Sequence, residues 1–242
     1  MEIIPIFLKE EIKPDDKLDK IIASSYPDMQ DGDILVVAQK IISKQENQII
    51  PLSTVIPTIL STGIGSAYSK DPKLVEIILS EAKRVVRMGN RILITETHHG
   101  FICANSGVDE SNVSNGFVTI LPKDPDDSAK KLSKKISEII GKKIAVIVSD
   151  TFGRPFRLGQ TNHAIGISNM EAISEYVGKK DHFGKELRVT AISVADELCS
   201  AAELVMGKLS RCPAAIIRGF QYKEKEESIK TLLREEYQDM FR

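Results

Sequence analysis

Two polar stretches hold the side chains best suited to chemistry, Asn105-Ser-Gly-Val-Asp109-Glu-Ser-Asn112 and Ser149-Asp150-Thr151-Phe-Gly-Arg154-Pro-Phe-Arg157. Each follows an apolar run that reads as a buried strand, Ile92-Leu-Ile-Thr95 before the first and Ile144-Ala-Val-Ile-Val148 before the second. Each therefore sets an aspartate at or just past a strand end. A lone aspartate there is ordinarily a turn former. Two of them, Asp109 beside Asn and Ser, Asp150 beside Thr151 and two arginines, point instead to a metal–phosphate site. Hard cations such as Mg²⁺ and Mn²⁺ take carboxylate oxygens and complete their shells with water and substrate phosphates.

Other residues fit the same chemistry. Arg154 and Arg157 flank Pro155 and suit paired hydrogen bonds to a carboxylate or phosphate. Gln160-Thr-Asn162 adds donors and acceptors just after them. Gln39, Lys40 and Lys44 follow an apolar run, and lysine is a compact point charge suited to phosphate. His98-His99 read as a solvated turn, while His163 lies in the polar stretch within reach of a substrate. Asp196-Glu197 open a helix, where acidic groups complement the helix dipole. No P-loop occurs, and Thr62-Gly-Ile-Gly65, lacking a third glycine, reads as a loop before the helix at Pro72.

The frame that must position these residues is legible in outline. A length of 242 residues suits one large domain or two interleaved smaller ones. A division falls near residues 80–90 or 205–215 if there is one. With 33 basic against 34 acidic residues, overall charge gives no argument for nucleic acid or an anionic membrane. Cys103, Cys199 and Cys212 show no metal-ligand spacing and leave an odd one over, which favours a reducing cytoplasm. The first residues lack the pattern of a signal peptide, and no apolar stretch is long enough to span a bilayer. The expectation is a soluble intracellular protein.

Periodicity predicts strands at Ile3–Phe7, Ile34–Ala38, Arg91–Thr97, Phe101–Ala104, Phe117–Leu121, Lys143–Val148, Ala164–Ser168, Leu187–Val194 and Ala214–Arg218. It predicts helices at Leu18–Ser25, from Asp71-Pro72 to near Gly89, at Asp126–Ile140, Ala195–Met206 and Ser228–Met240. Gln39–Ile50 reads as the continuation of a hairpin, and the lysine pairs between 130 and 143 as a solvated face. The order is mixed, which predicts an α+β fold with partly antiparallel sheets and packed helices.

Taken together and in order, these stretches resemble the coenzyme F420-0:L-glutamate ligase (CofE) family. The resemblance rests on Val37-Ala-Gln-Lys-Ile-Ile-Ser-Lys44, Asn105–Val113, Ser149–Arg154, Ala164–Ser168, Val177–Asp181, Val194–Glu197, Met206-Gly207 and Ile217-Arg-Gly219. It implies a CofE-like fold, an intertwined homodimer, and GTP-dependent addition of L-glutamate to coenzyme F420-0 through an acyl phosphate. It further implies Mg²⁺ or Mn²⁺, often with K⁺. By position, Asp109, Asp150 and Thr151 would hold divalent metal. Lys9, Glu10, Glu11, Ile12, Gln39, Lys40, Lys44, Asn112, Met206, Gly207, Lys208, Leu209 and Ser210 would line the GTP site. Arg154 and Arg157 are candidates for the anionic substrates on chemical grounds. The loop Lys208–Pro213 departs from the family's glycine-rich pattern, in which some members carry a carboxylate or amide that reaches a second metal. The rival readings are a metal-dependent ligase or phosphoryl transferase acting on another carboxylate, and a nucleotide-binding homologue without catalysis.

Overall fold

Ile34-Leu-Val-Val-Ala38 and Ala145-Val-Ile-Val148 carry apolar side chains on both faces, the pattern of strands covered on both sides. The computed structural model, which describes residues 1–240, sets them side by side and parallel, Ile34 opposite Ala145 and Val37 opposite Val148. Around this pair run β1 (Glu2–Ile6), α1 (Leu18–Ser25), β2 (Ile34–Ala38), α2 (Gln39–Gln45), β3 (Ile49–Pro51), α3 (Ile59–Tyr68), α4 (Pro72–Ser80), β4 (Ala82–Gly89) and β5 (Ile92–Thr97). There follow β6 (Ile102–Ala104), β7 (Phe117–Thr119), α5 (Pro125–Ile140), β8 (Ala145–Arg154), β9 (Arg157–Ser168), β10 (Ser174–Glu175), β11 (Ala191–Ile192), α6 (Val194–Met206) and β12 (Ala214–Arg218).

The main sheet has the order β1-β12-β2-β8-β9, and β2–β8 is its parallel pair. Three smaller sheets, β4-β5-β6, β3-β7 and β10-β11, are antiparallel. The mixed, partly antiparallel α+β architecture is the one the sequence predicts. Helix α5 shows why its residues fold as they do. Asp124 caps it by accepting from the Asp127 N–H, Pro125 opens it, and Gly141 closes it at φ +67°. Ala129, Leu132 and Ile136 bury its inner face, and Lys130, Lys131, Lys134 and Lys135 stay exposed as expected.

Two apolar clusters result. The larger surrounds the main sheet; the smaller gathers Leu74, Val75, Ile77, Ile78, Leu93 and Val118 from α4, β5 and β7. Among the described residues, no helix is long and apolar enough to cross a membrane.

Several segments differ from the sequence expectation. Gln39–Gln45 is a helix, not part of a hairpin. Burial of Ile41, Ile42, Ser43 and Lys44 outweighs the strand preference of the isoleucines. The helix from Pro72 stops at Ser80, and β-branched Val85-Val86 belong to β4, which pairs back on β5 across Asn90 and Arg91 at φ +48° and +62°. Thr62–Gly65 is not a loop but part of α3, capped by Thr58. The polar run after Asp150 is likewise no loop: β8 and β9 form one long hairpin, with Arg154 paired to Arg157. Leu187–Val194 is not a long strand, since only Ala191–Ile192 pairs, with Ser174–Glu175. Ser228–Met240 forms no α-helix but two 3-10 turns, Ile229–Leu232 and Glu236–Gln238. There the Asp126 carboxylate captures the Ser228 hydroxyl and the Ile229 N–H, and Leu232 and Leu233 pack on the main core. Anchoring at those points replaces helical packing.

Candidate active site between the two clusters

The first aspartate is aimed by an unusual turn. Asn105, Ser106 and Gly107 all take left-handed backbone, at φ +53°, +55° and +71°. Such conformations cost of order 1–3 kcal/mol for residues other than glycine, and persist only where neighbours over-determine them. Here the Ser106 hydroxyl donates to Ile78 O at 2.7 Å, its N–H donates to the Thr95 hydroxyl at 2.9 Å, and Asn105 Oδ1 accepts from Leu93 N. Gly107 leaves no room for a side chain, because a Cβ there would lie 2.7 Å from Leu121 Cγ. The chain then pairs Asp109 with Thr119 and presents the Asp109 carboxylate to Lys40, whose Nζ lies 2.7 Å away. Burial works against that charge, but Lys40 and the Ser111 N–H at 2.6 Å outweigh it and hold the carboxyl below its usual range.

The second aspartate comes from the main sheet. Asp150 stands on β8 directly opposite His163 on β9. Burial pushes its carboxyl up to about 6; Asp109 adds to the push, while the Thr151 N–H, Lys40 and Lys208 oppose it. The two aspartates thus lie within each other's field, and Lys40 acts on both. On the opposite face of the hairpin, the Thr151 hydroxyl donates to Asn162 Oδ1 at 2.7 Å and accepts from Lys208 Nζ at 2.7 Å. Among the described residues, no three His, Cys, Asp or Glu side chains cluster as metal ligands. A cation at the aspartate pair would therefore share two carboxylates with water and phosphate oxygens, the pattern of Mg²⁺ or Mn²⁺.

Cysteine chemistry fits poorly here. Burial, with Asp150 adding to it, pushes the Cys103 thiol up to about 12, and Cys199 is fully buried.

Residues 8–219 match the model of the family described as F420-0:Gamma-glutamyl ligase. The chain belongs to that family. A "Coenzyme F420:L-glutamate ligase" of Methanocaldococcus jannaschii is 46% identical over 226 residues, 93% of this chain and 90% of the relative. Proteins of the same description from Methanothermobacter thermautotrophicus (44% identical, 89% and 86% of the two chains) and Methanopyrus kandleri (39%, 100% and 98%) are similar along comparable lengths.

The other positions singled out by resemblance to the F420-0:γ-glutamyl ligase family gather unevenly. Lys9, Glu10 and Glu11 lie exposed after β1, with Ile12 buried behind them. Glu11 forms an ion pair with Lys44, which is buried on α2 beside buried Gln39. The Leu8 N–H reaches Arg211 O, so this segment adjoins the loop after α6. In that loop Met206 is buried, Gly207 takes φ +58°, Leu209 is 97% exposed, and the Ser210 hydroxyl donates back to Met206 O. Asn112, at φ +56°, stands exposed one residue beyond Ser111. Of these positions, Glu11 meets Lys44 and Asn112 adjoins Ser111, which Lys40 reaches at 2.6 Å, while Lys208 turns to Thr151 and Glu203 instead. Arg154 and Arg157 do not join them: Arg154 Nη2 donates to Leu158 O at the hairpin end, and four residues of strand, about 13 Å, separate it from Asp150.

Sequence reasoning left some site residues unassigned. Asn162 holds Thr151 and donates to the Ser149 hydroxyl, a pairing set by hairpin register. Glu203 reaches Lys208 at 3.2 Å from one helical turn away. Asp196 is more than a dipole partner: it accepts the Ala164 N–H and the Ser193 hydroxyl, both at 2.9 Å, and lies 3.7 Å from His163 Nδ1. The paired histidines at the β5–β6 turn are not simply solvated either, since His99 Nε2 sits 2.9 Å from Pro122 O and is half-buried.

Proposed function

We propose that the protein is a GTP-dependent amide ligase that joins L-glutamate to the carboxylate of coenzyme F420-0. The observation that carries this reading is the approach of Asp109 and Asp150, brought from two separate clusters into one electrostatic unit with Lys40, in a chain of the γ-glutamyl ligase family. Two carboxylates that raise each other's energy in this way, each also acted on by Lys40, offer oxygens that a cation can share. A divalent cation there would relieve the penalty that burial puts on the Asp150 carboxylate.

In this reading an oxygen of the F420-0 carboxylate attacks the γ-phosphorus of GTP, the bond to the β-phosphate oxygen breaks, and GDP leaves. The glutamate amine then attacks the acyl carbon and loses a proton as phosphate departs, so an amide forms and no side-chain nucleophile is needed. Asp109 and Asp150 would hold Mg²⁺ or Mn²⁺, which would neutralise phosphate charge and orient the oxygens, while the Thr151 hydroxyl meets Lys208 on the other face of the hairpin. Lys40 and Lys44 meet the phosphates, Gln39 and Asn112 position the nucleotide, and Lys9–Ile12 with Met206–Ser210 frame it. Arg154 and Arg157, at the end of the long hairpin, grip anionic substrate in the site of a second copy. That places them in a homodimer with the intertwined arrangement of a CofE-like fold, and 1–242 then act as one unit. The reading also makes the protein cytoplasmic, where GTP and reduced cysteines are found.

The test is mass spectrometry of F420-0 incubated with protein, L-glutamate, GTP and Mn²⁺. The expected product carries an added glutamyl residue, with GDP released only when both acceptor and amine are present. GTP turnover that ignores F420-0, or tight GTP binding with no turnover, sinks the proposal.

A further inference from the structure

Beside the aspartate pair lies a second group of oxygens, and it is already filled. Thr151 Oγ1 from β8, Asn162 Oδ1 from β9 and Glu203 Oε1 from α6 converge on the ammonium of Lys208, at 2.7, 3.4 and 3.2 Å. The oxygens are turned toward that nitrogen by their own partners. Thr151 gives its hydroxyl hydrogen to Asn162 Oδ1, leaving lone pairs for Lys208, and the Asn162 amide nitrogen donates to the Ser149 hydroxyl, which fixes its oxygen toward the nest. A hydroxyl, an amide oxygen and a carboxylate are the donor types that hard cations take. The positive charge here is instead attached to the chain, just past Gly207 at φ +58°, which turns the loop back over the hairpin. It acts on Asp150, so it belongs to the same electrostatic unit. With 58% of its side chain exposed, Lys208 can also meet a phosphate from the solvent side.

We propose that Lys208 is a tethered cation of the phosphoryl-transfer centre: its ammonium fills the Thr151–Asn162–Glu203 nest in place of a free metal ion. The centre then takes one divalent ion, at Asp109 and Asp150. The inference rests on the reading above that those aspartates hold a metal–nucleotide complex. A free cation entering the nest would have to displace an ammonium whose local concentration is fixed by the chain, and would then sit against its charge. Lysine suits the task because its charge is compact and directs hydrogen bonds to any oxygen in reach. The ammonium can thus exchange a nest oxygen for a phosphate oxygen as charge develops there.

The test is a titration of Mn²⁺ into the protein with saturating GDP, counting bound ions by the electron paramagnetic resonance signal of free Mn²⁺. Wild type is expected to bind one Mn²⁺ per chain, and Lys208→Gln, which replaces the ammonium by an amide oxygen, two. Lys208→Gln is also expected to lower kcat by about 10–100-fold at limiting Mn²⁺ and to recover as Mn²⁺ is raised. A side chain that merely braced the loop would show no such metal rescue. Two ions in wild type, or one in Lys208→Gln with no rescue, overturn the assignment while leaving the aspartate site standing. No bound Mn²⁺ in wild type overturns both.

Discussion

Asp150 carries a conflict between stability and function that can be measured. Its carboxyl is raised from 3.8 to about 6, so the folded, metal-free protein binds that proton more tightly than the unfolded chain does. A raised carboxyl favours the fold at low pH, and the contribution is lost as pH rises through the window from about 4 to about 6. By linkage the penalty on the charged form at neutral pH is at most about 3 kcal/mol. Asp150→Asn removes the charge and keeps the shape. Metal-free Asp150→Asn is therefore expected to melt above wild type at pH 7.5 and to converge with it near pH 4, while ligase turnover falls by about 10²-fold or more. Equal melting points at neutral pH would show that the carboxylate is not strained. Lys44 offers a contrasting case, since among the described residues its buried ammonium pairs only with exposed Glu11. Lys44→Ala should leave an open position for phosphate and raise the apparent KM for GTP by about 10-fold. An unchanged KM removes Lys44 from the nucleotide site.

At the scale of elements, the sequence shows strands and helices where one surface decides them, and misleads where a neighbour decides. Strands β2 and β12 and helix α1 match their predicted bounds, because continuous apolar runs or a helical stripe specify them without reference to anything else. The segment Gln39–Gln45 carries two isoleucines and reads as strand, yet the space left between the sheet and β7 holds a helix. The extent of the β8–β9 hairpin was hidden for a similar reason: its outer half is polar, and register comes from pairing, not from the residues. The site itself was half legible. Asp109, Asp150 and Lys40 stand out by type and position, but their meeting depends on the left-handed turn at Asn105–Gly107, which only Gly107 announces. Gly166 tests the same idea in the fold. A Cβ at Gly166 would lie 2.3 Å from Pro125 O, so the start of α5 rests on β9 through the missing side chain. The Asp126 carboxylate, accepting the Ile167 N–H at 2.9 Å, holds the helix there. Gly166→Ala should cost about 1–3 kcal/mol in urea unfolding, since backbone must shift. A loss below about 0.5 kcal/mol would mean that α5 slides freely on the sheet.

For the whole molecule, the separation into two clusters explains why one edge of the structure looks unfinished. The smaller cluster is built from α4, β5 and β7, and it leaves β4 at the edge of its sheet. That strand is open along nearly its whole length, with Val85, Val86 and Met88 37%, 36% and 41% exposed, and Ile92 on β5 adds to the same arm. A long apolar edge strand invites pairing with another chain, and soluble proteins blunt or cover such edges. Here Lys83 and Arg84 are drawn back to Glu96, which leaves Arg87 as the charge on the outer half of the strand. The homodimer proposed above would give this edge a second copy of the chain as its partner, along with the arginine-bearing hairpin at the neighbouring site. Val86→Asp combined with Met88→Asp places two like charges on that edge without touching either buried cluster. Light scattering on the eluting protein is expected to show a dimer for wild type and a monomer for the double variant, with circular dichroism unchanged. Ligase activity should fall with the dimer by about 10-fold or more if Arg154 and Arg157 serve the partner's site, because positioning of an anionic substrate contributes on that scale. A monomeric double variant with full activity would detach the arginines from catalysis, and a wild type that elutes as a monomer would leave the β4 edge without the proposed partner.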